Sequence, residues 1–160
     1  MRPARRRDPS AGFHFCGTPL ANKGGAVSHT SQDVHLSYDG VVETRTTVLI
    51  VDDHPSFRAM ARAVLADDGF CVVGEAADAE SGLAVARELR PDCVLLDVQL
   101  GDADGFALAE ALAVGGERPA VVMTSGRDRG DFEALIGASA ACGFIPKERL
   151  SGSALGELLR

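Results

Sequence analysis

In this chain of 160 residues, three carboxylates, a hydroxyl and an amine stand where short apolar segments give way to turns. Asp52 and Asp53 follow the run at 48–51, and Asp97 follows the run at 93–96. Thr124 and Ser125 follow 120–123, and Lys147 comes just after 142–145 and Pro146. Taken singly, each has an ordinary structural role: an Asp after a buried strand caps helices and forms turns, and a loop Lys is solvated. Together they make a different case. Like unit charges ~4 Å apart repel by ~4 kcal/mol at an effective dielectric of 20. Gathering Asp52, Asp53 and Asp97 therefore costs stability unless a cation or raised pKa values offset it. The natural partner is a hard, oxygen-seeking Mg²⁺ held by carboxylates and waters.

An Asp carboxylate beside such an ion can attack a phosphoryl group and give an aspartyl-phosphate. That chemistry asks mainly for charge neutralisation on the transferring oxygens, to which Lys147 contributes, and the Thr124 hydroxyl can donate to a phosphoryl oxygen. No GxxxxGK[ST] loop is present, so a P-loop nucleotide enzyme is not expected.

The elements that must bring these residues together are legible from residue 47 onward. Strands are expected at 48–51, 70–74, 93–96, 120–123 and 142–145, short and apolar as in a sheet buried on both faces. Helices alternate with them. The first starts at Pro55, presents Phe57, Met60, Ala61, Val64 and Leu65, and stops at Asp68-Gly69. The others are expected at 78–89, with Leu83, Ala84 and Ala86 inward, at 105–113, at 131–138 (the weakest), and at 151–160. This order predicts a doubly wound α/β fold: a five-stranded parallel sheet covered on both faces, with right-handed crossovers. Ligands of such sheets collect at the carboxyl ends of the strands, where the residues above fall.

Composition agrees. With 46% hydrophobic and 24% charged residues, the chain is globular rather than disordered or fibrous. No apolar run approaches the ~18 residues of a membrane span, and no membrane partner is expected. The formal charge of −7 is uneven. Residues 1–46 carry six Lys/Arg against four Asp/Glu, whereas 47–160 carry ten against nineteen. An acidic body disfavours general nucleic-acid binding. The first 46 residues lack sustained periodicity, are rich in turn formers, and are expected to be a disordered extension, whether a solvated tail or a start-site artefact. Their opening arginines lack the apolar stretch of an export signal. Cys16, Cys71, Cys93 and Cys142 show no metal-ligand spacing and read as small buried residues in a reducing cytoplasm.

Residues 47–160 resemble the receiver domain of two-component response regulators. The resemblance rests on "VLIVDDHPSFR", "PDCVLLDVQLGDADGF", "PAVVMTSG" and "GFIPKERL", in order and spread across the whole body. It implies a flavodoxin-like (βα)5 fold with strand order 2-1-3-4-5. It implies Asp97 as phospho-acceptor, with Asp52 and Asp53 as the acidic pair that holds Mg²⁺ together with Asp97 and the backbone carbonyl of Gln99. Thr124 becomes the switch hydroxyl, Lys147 the phosphate-binding lysine and Phe144 an aromatic rotamer switch. A sensor histidine kinase or phosphotransfer protein is the implied donor. A downstream protein would read the altered surface of the fourth helix, fifth strand and fifth helix.

Two departures stand out. Gly101 occupies a place where the family often has Pro, which predicts a more flexible loop. Pro146 precedes Lys147 and Glu148 follows it, so the family-typical cis bond after the lysine is not available there. The chain ends near Leu158-Leu159-Arg160, so a stand-alone receiver that is not an enzyme beyond self-phosphorylation and self-dephosphorylation is expected. The alternative is the receiver part of a DNA-binding regulator whose output domain is missing or separately encoded, as the HPSFR-type loop suggests. A dehalogenase-like phosphotransferase would want a second Asp at position 99, where Gln stands.

Overall fold

The computed structural model describes residues 34–36, 42–114, 118–127 and 129–160. Most of the extension expected to be disordered lies outside them. Within it, Val34–Leu36 pairs antiparallel with Val42–Thr44.

From Thr47 onward strands and helices alternate. The strands are β1 (Thr47–Val51), β2 (Cys71–Ala76), β3 (Cys93–Asp97), β4 (Ala120–Ser125) and β5 (Gly143–Pro146). The helices are α1 (Pro55–Asp67), α2 (Ala79–Leu89), α3 (Gly105–Ala113), α4 (Glu133–Ala138) and α5 (Gly152–Leu158). All five strands are parallel, in the order β2-β1-β3-β4-β5. This is the expected doubly wound, flavodoxin-like arrangement. Because the strands point one way, their carboxyl ends share one rim.

Side chains alternate across the sheet, as strand geometry requires, and divide the core in two. Val48, Ile50, Leu95 and Val122 pack with Phe57, Ala61 and Leu65 of α1 and Leu155 of α5. Leu49, Val51, Val94, Leu96 and Met123 pack on the other side with Ala86, Phe106, Leu112 and Ile136 of α2, α3 and α4. Fully burying a Val or Leu is worth ~1.5–3 kcal/mol, so the two layers hold the sheet rigid beneath its rim.

The helix faces differ from expectation at two positions. Met60 is 40% exposed, because the buried stripe of α1 follows Phe57, Ala61 and Leu65 and leaves it to one side. Ala84 is exposed, and Gly82 and Ala86 carry the buried face of α2. At the N-terminus of α2 the Asp78 side chain accepts a hydrogen bond from Ser81 N, the usual role of a capping Asp. At the end of the sheet opposite the rim, Asp92 Oδ2 accepts from both Thr47 N (2.8 Å) and Thr47 Oγ1 (2.7 Å).

The cysteines also divide. Cys71 and Cys93 are buried as expected and Cys142, just before β5, is exposed; Cys16 lies outside the described residues. Burial pushes the Cys93 thiol far above its usual range, so its nucleophilic thiolate is suppressed. In a Cys16→Ser variant, one thiol should react with a maleimide in the native protein and all three after unfolding. Native-state modification of Cys93, read by peptide mass, would contradict this burial.

Candidate functional site

Each candidate is fixed by the end of its strand. Asp52 follows β1 and Asp97 closes β3; both are buried, at 0% and 4% exposure. Thr124, in β4, is the direct register partner of Asp97. Lys147 begins a single 3-10 turn after β5 and reaches back across the rim. Its Nζ lies 2.6 Å from Asp52 Oδ2 and 2.7 Å from Asp97 Oδ2. The contact to Asp97 is an aligned hydrogen bond. That to Asp52 is a charge contact, since Asp52 Oδ2 accepts no aligned hydrogen bond. The ammonium also sits over the Phe57 ring, 4.6 Å from its centroid, which favours a cation.

Backbone amides complete the frame. His54 N donates to Asp52 Oδ1 (2.8 Å), Gln99 N to Asp97 Oδ1 (3.3 Å) and Gly101 N to Asp53 Oδ2 (3.2 Å). Gly101 has φ +61, and it sits between Gln99–Leu100 and Ala103–Asp104, which pair as a two-residue antiparallel ladder. The loop forms a turn whose Gly101 N is tied to Asp53. Glycine meets the left-handed backbone requirement at no steric cost. No peptide bond among the described residues is cis.

Gly105 shows how closely Asp97 is packed. Its N donates to the Val98 carbonyl (2.8 Å), and a Cβ there would overlap the main-chain carbonyl of Asp97. Gly105→Ala should therefore destabilise the fold by about 2–3 kcal/mol, read as a lower denaturation midpoint. An unchanged midpoint would show that α3 can move away from Asp97 without cost.

The electrostatics follow from burial. Burial raises the Asp97 pKa, the Lys147 hydrogen bond opposes this, and the nearby Asp52 adds to the rise. Burial alone would lower Lys147, but its contacts with Asp52 and Asp97 outweigh that and leave it raised. One ammonium thus serves two buried carboxylates, with Asp53 beside them. One oxygen from each of the three aspartates and a ring nitrogen of His54 lie within 4.8 Å of one another. Asp53 Oδ1 is buried and accepts no aligned hydrogen bond, though His54 Nδ1 lies 2.6 Å away, and the three carboxylates suit a hard divalent cation. Above it opens a cleft of about 540 Å³ lined by Asp53, His54, Asp97, Gln99, Arg127 and Lys147 among others.

Two predicted residues stand back from this cluster. Thr124 is fully buried, and its Oγ1 has no hydrogen-bond partner. Such a group in a native core asks for an explanation. Phe144 is buried in β5, with its ring 6.1 Å from that of Phe132.

The response regulator receiver domain family matches residues 48–155. The chain belongs to this family. The relatives of the receiver domain include these two. It is 39% identical over 109 residues to a protein-glutamate methylesterase/protein-glutamine glutaminase of Anaeromyxobacter dehalogenans, covering 67% of this chain and 31% of that protein. It is 34% identical over 114 residues to the response regulator GacA of Pseudomonas viridiflava, covering 71% and 51%. The chain thus spans a third to a half of these relatives' length, and some relatives are transcriptional regulators. Among solved structures, the receiver domain of the putative response regulator NarL from Mycobacterium tuberculosis superposes with a TM-score of 0.66 at 27% identity. That match covers 72% of this chain and 96% of the other.

Sequence reasoning overlooked three residues of this receiver's site. His54 directly follows the acidic pair, and its adjacency was the available signal. Arg58 donates to the Asp52 carbonyl (2.7 Å) and pairs with Glu75 (3.3 Å), which also meets Arg62 (2.6 Å). Nothing in the spacing of these residues announces that network. Phe57 reads as ordinary core and serves also as the seat of the lysine.

Proposed function

We propose that this receiver is a phosphorylation-controlled signalling module. An Asp97 carboxylate oxygen attacks the phosphorus of a phosphohistidine on a sensor kinase or phosphotransfer protein. The new O–P bond forms as the P–N bond breaks, and the departing imidazole takes up a proton. Asp52, Asp53, Asp97 and the main-chain carbonyl of Gln99 would hold Mg²⁺, which when bound supplies positive charge to the phosphoryl oxygens. Lys147, already on Asp97, shifts its hydrogen bond to the incoming phosphoryl group. Thr124 supplies its unused hydroxyl to another phosphoryl oxygen, and Phe144 repacks into the space left behind.

The phosphoryl group adds charge and acceptor oxygens at the rim. It shifts the receiver only insofar as it binds one arrangement better than the other. The α4–β5–α5 surface then presents a changed face to a downstream protein. The observation that carries this reading is the hydrogen bond between Lys147 and Asp97 beside the acidic pair.

The test is incubation with acetyl phosphate, with and without Mg²⁺, read by intact mass. One added phosphoryl group that depends on Mg²⁺ is expected; no gain under either condition would overturn the reading. We further propose that the module works in the cytoplasm, without turnover beyond its own phosphorylation and dephosphorylation. Among the described residues no helix is long and apolar enough to cross a membrane.

A second reading is favoured by the relatives that are transcriptional regulators, each matched over about half its length. In it, the chain is the receiver part of a DNA-binding regulator. Retention on DNA at low salt would support that reading; the acidic body argues that this chain alone does not bind.

A further inference from the structure

The ring of Phe57 is shared between the core and the rim. It belongs to the first turn of α1, which Pro55 opens. It is 8% exposed and packs with Ile50, Leu95 and Leu150, yet it also lines the cleft beside Asp97 and Lys147. The Lys147 ammonium lies over this fixed ring, 4.6 Å from its centroid. Only 17% of the Lys147 side chain is exposed. A cation–π contact strengthens as the cation loses water, so this one falls toward the strong end of its range.

The charges at the rim show what the contact is for. Asp52, Asp53 and Asp97, when ionised, carry three negative charges, which one ammonium and one dication balance together and neither balances alone. The two cations nevertheless oppose each other. A dication on the carboxylates weakens their hold on Lys147 and repels its ammonium. Of Asp52, Asp97 and Phe57, the ring is the partner whose pull a bound dication leaves unchanged. It attracts the ammonium through its face, so no oxygen is used and no single direction is imposed.

We propose that Phe57 is a positioning residue whose ring keeps the Lys147 ammonium beside Asp97 while Mg²⁺ is bound, free to turn from a carboxylate oxygen to a phosphoryl oxygen. The proposal rests on the phosphoryl transfer proposed above and deepens it. Without the ring, Lys147 of the metal-loaded receiver moves out into water. Each transfer must then first bring it back, and that cost falls on the rate.

The test is NMR of the full chain carrying isotopically labelled lysine. Lys23 and Lys147 are its only lysines, so Lys23→Arg leaves the signals of Lys147 alone. An aromatic face displaces the ε-methylene protons of a lysine above it upfield. That displacement is expected in this otherwise unaltered chain and should survive saturating Mg²⁺. Phe57→Leu should abolish it, but that change also disturbs packing. The deciding variant therefore carries pentafluorophenylalanine at position 57, a ring of similar shape whose face repels cations. In it the displacement should vanish when Mg²⁺ is added. Its Mg²⁺-dependent labelling by acetyl phosphate should slow by about 5–30-fold, the worth of a largely desolvated cation–π contact. Loss of the displacement on adding Mg²⁺ to the chain with Phe57, or an unchanged labelling rate in the fluorinated variant, would overturn the proposal. A chain with Phe57 that takes up no phosphoryl group would instead overturn the proposed function, while the displacement would still report Lys147 on its ring.

Discussion

Asp97→Asn should abolish labelling by acetyl phosphate and leave a protein at least as stable as the parent. The amide removes the nucleophilic oxygen while keeping shape and volume, so labelling falls to background. Stability follows from the raised Asp97 pKa, which burial causes first and Asp52 reinforces against the Lys147 hydrogen bond. A folded-state pKa above the unfolded value of 3.8 means that the native state binds more protons through that window. Stability therefore falls as pH rises across it, and the charged form is a burden at neutral pH. Asn carries no such burden, and Lys147 keeps Asp52 as its partner. Denaturation midpoints in chelator-treated buffer should be equal or higher for Asp97→Asn at neutral pH, and its own loss across the acid window should be smaller. Residual labelling at parental levels would show that another residue accepts the phosphoryl group.

Lys147→Met should be the most destabilising change at the rim. Methionine keeps an apolar stem over Phe57 but removes the only ammonium that contacts both Asp52 and Asp97 among the described residues. Their side chains are 0% and 5% exposed, so two carboxylates are left uncompensated away from water. Breaking a buried pair costs 3–5 kcal/mol, and the partial exposure of Lys147 itself places this case at about 3 kcal/mol. Saturating Mg²⁺ should restore much of that loss, since a bound cation stabilises only the native state. Adding Asp97→Asn to Lys147→Met should also recover stability, because the two positions are coupled. Chemical denaturation of the single and double variants, with and without Mg²⁺, reads all of these. A loss below about 1 kcal/mol in metal-free buffer would mean that the carboxylates find other compensation.

The parts of the fold that proved legible are those where pattern and burial say the same thing. β3 is buried at every position, and its expected span 93–96 falls one residue short of Asp97. α3 begins and ends where expected, since Asp104 caps it and Gly105 is forced by the carbonyl of Asp97. α4 was harder: the expected 131–138 divides into a 3-10 turn, Arg129–Asp131, and six helical residues. Glycine at 130 and 137 weakens the helical signal there. β2 runs two residues beyond its expected end, and one of the two comes from a register shift against β1 between Val48 and Leu49. The pattern of one strand cannot report a shift set by its neighbour. At the site, residues on strand ends were readable because topology alone brings them together. The Arg58–Glu75 pair was not, because it depends on how far α1 leans over β2.

The guanidinium of Arg58 has a consequence for engineering. The main chain at Asp52 is braced in two ways: by the β2 contact between Asp52 N and the Ala76 carbonyl, and by this one side chain from α1. Stiffness near the rim can therefore be adjusted separately from its charge. Arg58→Lys keeps the positive charge but gives up the planar fork that spans the Asp52 carbonyl and Glu75. On the proposed function, it would act as a tuning screw on the pace of the switch, turned without altering Asp97, Lys147 or the acidic pair.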